Sequence, residues 1–156
     1  MELLPVLEPE DKPQKGIWYA LVPRGGAPGV NVGHTCTYVP SSDGDKGKIV
    51  IVGGANPSGS FADCHVIDLG KNRHEWDEPE WPGLLARYEH CSFVPESSPR
   101  NLWVFAGAEK SGNRNCVQTL DVTGNGTCAQ FKTLPVVHKP PKLHISASLR
   151  VQIISK

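Results

Sequence analysis

The strongest constraint on this chain is that it repeats itself. VGHTCTYVP (32–40) matches YEHCSFVP (88–95), each a His opening an alternating segment that closes on Val-Pro. IVIVGGANPSG (49–59) matches LWVFAGAEKSG (102–112), and DCHVIDL (63–69) matches NCVQTLDV (115–122). An aromatic and a proline-rich return follow in WDEPEWPG from Trp76 and FKTLPVV from Phe131, with WYALVPRGGAP from Trp18 as an earlier copy. The offsets agree: His34 to His90 is 56 residues, Gly54 to Gly107 is 53, and Asp68 to Asp121 is 53. A period near 50 must come from a folded unit of that size, used twice in register.

Each unit contains four short apolar or alternating runs separated by Gly, Pro and polar turns. That is the pattern of an all-β propeller blade. The second run is apolar at nearly every position (IVIV, LWVF), as expected for a strand buried on both faces between blades. Composition agrees. Among 156 residues there are 16 Gly and 14 Pro, and apolar residues make up 38% in short runs. The stretch KIVIVGGANPSGS (48–60) also invites a phosphate-loop reading. That reading needs a helix after the glycines, and for a P-loop a Gly-Lys-Ser/Thr ending. Residues 61–69 alternate instead, and the glycine turn recurs with Ala106 in place of one glycine. The turn is read as structural.

The repeat resembles the kelch family: a Gly-Gly after the second strand, a polar loop, an acidic third strand and a Trp-bearing fourth. On that likeness the repeat positions are Trp18, His34, Gly53, Gly54, Asp68, Trp76, Arg87, His90, Gly107 and Asp121. The family usually carries Arg three residues before the His. Arg87 fits, whereas Asn31 stands before His34. The divisions expected are a flexible lead (1–16), an outer strand and linker that would close a full propeller (17–31), repeat one (32–82) and repeat two (83–137). Residues 138–156 read as a degenerate start of a third repeat, with Pro141, Lys142 and His144 near its opening, and a tail foreign to the repeat. Asn125-Gly126 reads as a hairpin turn. Two units with open ends expose inter-blade faces, so truncation, marginal stability and self-association through open blade edges are expected.

Loops outside the general repeat narrow the likeness. LPVLEPEDKPQKGIWYAL, IVGGANPSGSFAD, GLLARYEH and SGNRNC are similar to kelch-only proteins that act as Rab GTPase effectors, over roughly residues 3–120. The resemblance implies a non-enzymatic binding scaffold for a GTP-bound Rab, working between late endosomes and the trans-Golgi network. It implies a cytoplasmic protein held at endosomal membranes through partners. A substrate-adaptor of a ubiquitin ligase is the alternative. It normally carries an upstream BTB-type domain, and only 16 residues precede Ile17.

Other chemistry finds little support. Net charge is zero, which gives no electrostatic reason to expect nucleic acid. No apolar run approaches membrane-spanning length, so no direct membrane insertion is expected. The five cysteines make no C-x-x-C pair and are read as reduced thiols. His34/Cys36, Cys64/His65 and His90/Cys91 are close in sequence, yet adjacent strand residues point to opposite faces, so no metal site or cofactor is expected. No nucleophile elbow or paired-carboxylate signature is present. The acidic run EWDEPEW (75–81) reads as a solvated loop beside a packing Trp. Arg87 and Arg114 are expected to pair with Asp or Glu between blades rather than to contact a partner.

Overall fold

The computed structural model describes residues 3–41, 44–122 and 128–131, the last four as backbone only. Among them every regular element is a β-strand. The chain is all-β, built as two kelch-type blades.

Blade 1 is a four-stranded antiparallel sheet. Its strands are β1 (Thr35–Val39), β2 (Lys48–Val52), β5 (Cys64–Asp68) and β6 (Trp76–Asp77), in spatial order β1-β2-β5-β6. A two-residue ladder, β3 (Ala55–Asn56) with β4 (Gly59–Ser60), stands in the β2–β5 connection. Blade 2 repeats the plan. Its strands β7 (Cys91–Phe93), β8 (Asn101–Phe105), β11 (Val117–Asp121) and β12 (Cys128–Phe131) pair in the same order. Its small hairpin is β9 (Ala108–Glu109) with β10 (Gly112–Asn113). Asn125-Gly126 and the start of a third repeat lie outside the described residues.

Register carries the repeat into three dimensions. Val52 sits opposite Thr35 and Cys64 in blade 1, and Phe105 sits opposite Cys91 and Val117 in blade 2. Strand alternation then sorts each blade into two faces. Thr37 of blade 1 and Ser92 of blade 2 share a buried hydroxyl–hydroxyl hydrogen bond of 2.6 Å. That bond fixes which faces meet. The face of blade 1 carrying Val50, Val52, Cys64 and Val66 packs on the face of blade 2 carrying Leu102, Val104 and Leu120, in one buried cluster. Val50, Val52, Leu102, Val104 and Leu120 are all fully buried. Burying side chains of this size contributes about 1.5–3 kcal/mol each.

Residues 17–31, expected as an outer strand, form isolated bridges in place of a ladder strand. Val6 and Ala20 form one parallel bridge, closed by hydrogen bonds from Leu7 N to Ala20 O and from Ala20 N to Pro5 O. Further on, Arg24 bridges Glu75 at the outer edge of blade 1. Lys46 Nζ donates to the carbonyl of Pro9.

Candidate partner-binding face

The turns after β2 (Gly53-Gly54) and β8 (Ala106-Gly107) open onto one end of the two-blade body. The turn after β2 needs a left-handed backbone: Gly53 has φ 61° and Gly54 φ 110°. A Cβ on Gly53 would stand 2.5 Å from the carbonyl oxygen of Arg87. Gly53 is therefore required by close approach as well as by φ. The equivalent residue in blade 2, Ala106, keeps the same backbone at φ 58° despite its methyl group. Gly107 follows at φ 93°.

The segment 83–90, which crosses from blade 1 to blade 2, ties this end together. Gly54 N donates to Arg87 O, and Arg87 N donates to Phe61 O. Glu89 N donates to Gly33 O, while Tyr88 and Ala108 exchange two backbone hydrogen bonds. One short segment thus pairs with the hairpin loops of both blades. The hairpin tips, Pro57-Ser58 and Lys110-Ser111, are exposed. Beneath the second hairpin, Arg114 pairs with Glu109 at 2.8 Å and donates to Ala86 O.

Arg87 is wholly buried. Its guanidinium donates to Leu85 O (3.1 Å), Ala106 O (2.9 Å) and the side-chain oxygen of Gln118. Gln118 in turn donates to Gly83 O. These three acceptors are carbonyl oxygens, and the guanidinium also reaches Cys116 Sγ at 3.5 Å. In blade 1 Asn31 takes the position of Arg87. Its Nδ2 reaches Gly53 O at 3.4 Å, the counterpart of the Arg87–Ala106 bond.

The other repeat positions separate by burial. His90 is buried and shares a 2.8 Å hydrogen bond with Thr35. Burial, then the neighbouring charges of Arg87 and His34, pushes its pKa down to about 4. His34 itself is exposed. Asp68 accepts from Gly70 N and lies 3.8 Å from Lys48 Nζ. Asp121 pairs in register with Asn101. Trp18 is 79% exposed. Trp76 lies edge-on to His65 at 6.0 Å, on the side of blade 1 turned away from blade 2. The ring that joins the inter-blade cluster is Trp81. Sequence reasoning placed Trp81 in a loop; its signal was the spacing to the apolar Leu84, which belongs to the same cluster.

The opposite end holds a cleft of about 200 Å³ lined by Lys48, Asp68, Arg100 and Val122. A groove of about 530 Å³ runs between the lead and blade 1, with Glu8, Glu10, Arg24 and Arg73 on its walls. Neither is the apolar, aromatic-lined cavity that small ligands favour. Among the described residues no group of three or more His, Cys, Asp or Glu stands ready to hold a metal. The four described cysteines, Cys36, Cys64, Cys91 and Cys116, form no disulfide with one another. Among the described residues no helix is long and apolar enough to cross a membrane.

The chain is 60% identical to the Rab9 effector protein with kelch motifs of Danio rerio, over 90% of its own length. It is 57% identical to the protein of that name from Xenopus laevis and 50% identical to that from Homo sapiens, each over 90% of the chain. It spans 36–42% of the length of these relatives. No protein-family model matches it. The kelch motifs in the name of these relatives agree with the blade register described above.

Proposed function

We propose that this chain is part of a non-enzymatic kelch scaffold that engages a Rab GTPase in its GTP-bound form. The observation that carries this reading is 50–60% identity over nine tenths of the chain to proteins named as Rab9 effectors. The geometry supports it in kind. Paired hairpins and a rigid crossing segment present exposed loops on one end of packed blades, and loops held by a rigid scaffold are where binding residues concentrate. The role follows from the partner: vesicle transport from late endosomes to the trans-Golgi network, with membrane attachment supplied by the bound GTPase and a cytoplasmic location otherwise.

The test is a pull-down of Rab9 loaded with GTP or GDP, using this chain and the full-length zebrafish relative. The expected result is preferential recovery of the GTP form by the relative. The chain, with two blades' loops, retains the preference with affinity lower by about tenfold or more. Equal recovery of both nucleotide forms rejects the reading.

A further inference from the structure

The loops between the first and second strands of each blade begin alike and then diverge. Both follow Val-Pro: SSDGDKG (41–47) in blade 1 and ESSPR (96–100) in blade 2. The repeat therefore does not dictate the blade 2 loop, which carries Ser98-Pro99 followed by Arg100. Strands β7 and β8 pair with each other on either side of it, so the loop is set within blade 2 itself. It lies at the end opposite the small hairpins.

Glu96, Ser97, Pro99 and Arg100 are exposed, and Ser98 is half-buried. The turn is held by Ser98 N donating to Pro95 O at 3.0 Å and Asn101 N donating to Ser98 O at 3.1 Å. A loop held by so few backbone hydrogen bonds opens locally at low cost. Asn101 Nδ2 donates to Ser98 Oγ at 2.8 Å. That bond occupies a lone pair of the hydroxyl and not its proton. Pro99 has no amide hydrogen and a fixed φ, which is the feature that proline-directed kinases read after an acceptor serine.

The next residues lead into the cleft of about 200 Å³ described above. Pro99 and Arg100 line it from blade 2, and Lys48, Asp45 and Asp68 line it from blade 1. Lys48 Nζ donates to Val122 O at 3.2 Å and lies 3.8 Å from Asp68. Each blade thus brings one cation to the cleft beside the serine.

We propose that Ser98 is a phosphoacceptor for a proline-directed protein kinase and that Arg100 and Lys48 receive its phosphate. Ser98 Oγ attacks the γ-phosphorus of ATP. The Oγ–P bond forms as the bond from that phosphorus to the β–γ bridging oxygen breaks; ADP leaves and the hydroxyl proton passes to the base of the kinase. The product carries about −1.5 to −2 charge at pH 7 and three acceptor oxygens. It competes with Asp68 for Lys48 and accepts charge-assisted hydrogen bonds from Arg100. Because Lys48 belongs to blade 1 and Ser98 to blade 2, the phosphate ties the blades at the end away from the crossing segment.

The test incubates the folded 156-residue chain with ATP and a cyclin-dependent kinase, and locates phosphate by intact mass and fragmentation. The expected result is one phosphate, on Ser98, lost in both Ser98→Ala and Pro99→Ala and retained in Ser97→Ala. Circular dichroism checks that each variant keeps its strands. Phosphorus NMR then follows the second ionisation of the phosphate, ordinarily near pH 6. Its midpoint should fall below that of the phosphorylated peptide 94–103, because nearby cations favour the dianion. Lys48→Gln and Arg100→Gln should each move it back towards the peptide value. A folded chain that takes no phosphate on Ser98 overturns the proposal, whether or not the free peptide accepts it. A midpoint equal to that of the peptide, or unmoved by both substitutions, overturns the assignment of the two cations.

Discussion

In blade 1 the carbonyl of Gly53 is held by Asn31, at 3.4 Å. In blade 2 the matching carbonyl, of Ala106, is held by Arg87 at 2.9 Å. The repeat thus preserves a hydrogen bond while changing the donor. The arginine does more. It reaches through to Gln118, which also accepts from Leu85 N at 3.0 Å and donates to Gly83 O at 2.8 Å. Blade 1 has His65 at the place of Gln118, with its Nδ1 buried and 3.5 Å from Glu78. The difference teaches where each blade is anchored. Blade 2 is knit around a buried cation, and blade 1 leans on blade 2 through the crossing segment.

Removing the cation is the sharpest way to break this contrast. Arg87→Ala leaves the oxygens of Ala106 and Gln118 without that donor and opens a cavity, and should cost about 3–5 kcal/mol in urea unfolding. Asn31→Ala removes one long hydrogen bond and should cost about 1 kcal/mol. Equal losses would show that the two blades are anchored alike.

Acid probes the paired histidines next. His90 is held neutral in the fold, so the unfolded chain takes up a proton near pH 6.5 that the folded site refuses until about pH 4. Stability is present in full above pH 6.5 and falls as pH drops towards 4, by an amount on the order of 3 kcal/mol. Urea unfolding at pH 7 and pH 4.5 should show that fall. It should shrink in His90→Gln and largely persist in His34→Gln, because His34 is exposed.

The smallest effect concerns the turn. Ala106→Gly relieves a left-handed alanine and should stabilise by about 1 kcal/mol. Gly53→Ala should go the other way by about 2 kcal/mol, since its methyl would meet Arg87 O at 2.5 Å. Thermal melting of both variants tests whether the two turns differ in sign.

Much of this was legible before any coordinates. The strand set and the antiparallel blades follow from the period and from alternation, because register at period two leaves little freedom once Val50, Val52, Leu102 and Val104 must be buried. The glycine turns were legible too, since a left-handed backbone limits the residue types. Side-chain partners were not. Nothing in the spacing says that Arg87 takes carbonyl acceptors, because a buried guanidinium is satisfied by any oxygens within reach. Nor does it reveal that Trp81, rather than Trp76, fills the space shared by the blades. That choice depends on how the crossing segment turns. The lead was the least legible region, as a few backbone bridges carry almost no periodic signal.

The crossing segment has one more implication. The sequence places a border between repeats at residues 82 and 83, yet the chain just past that border is hydrogen-bonded to loops on both sides of it. The seam between the copies is therefore a weld and not a hinge. Orientation passes from one leaf to its neighbour through Arg87, Tyr88 and Glu89, and the exposed tips of both hairpins inherit a common frame from three consecutive peptide groups.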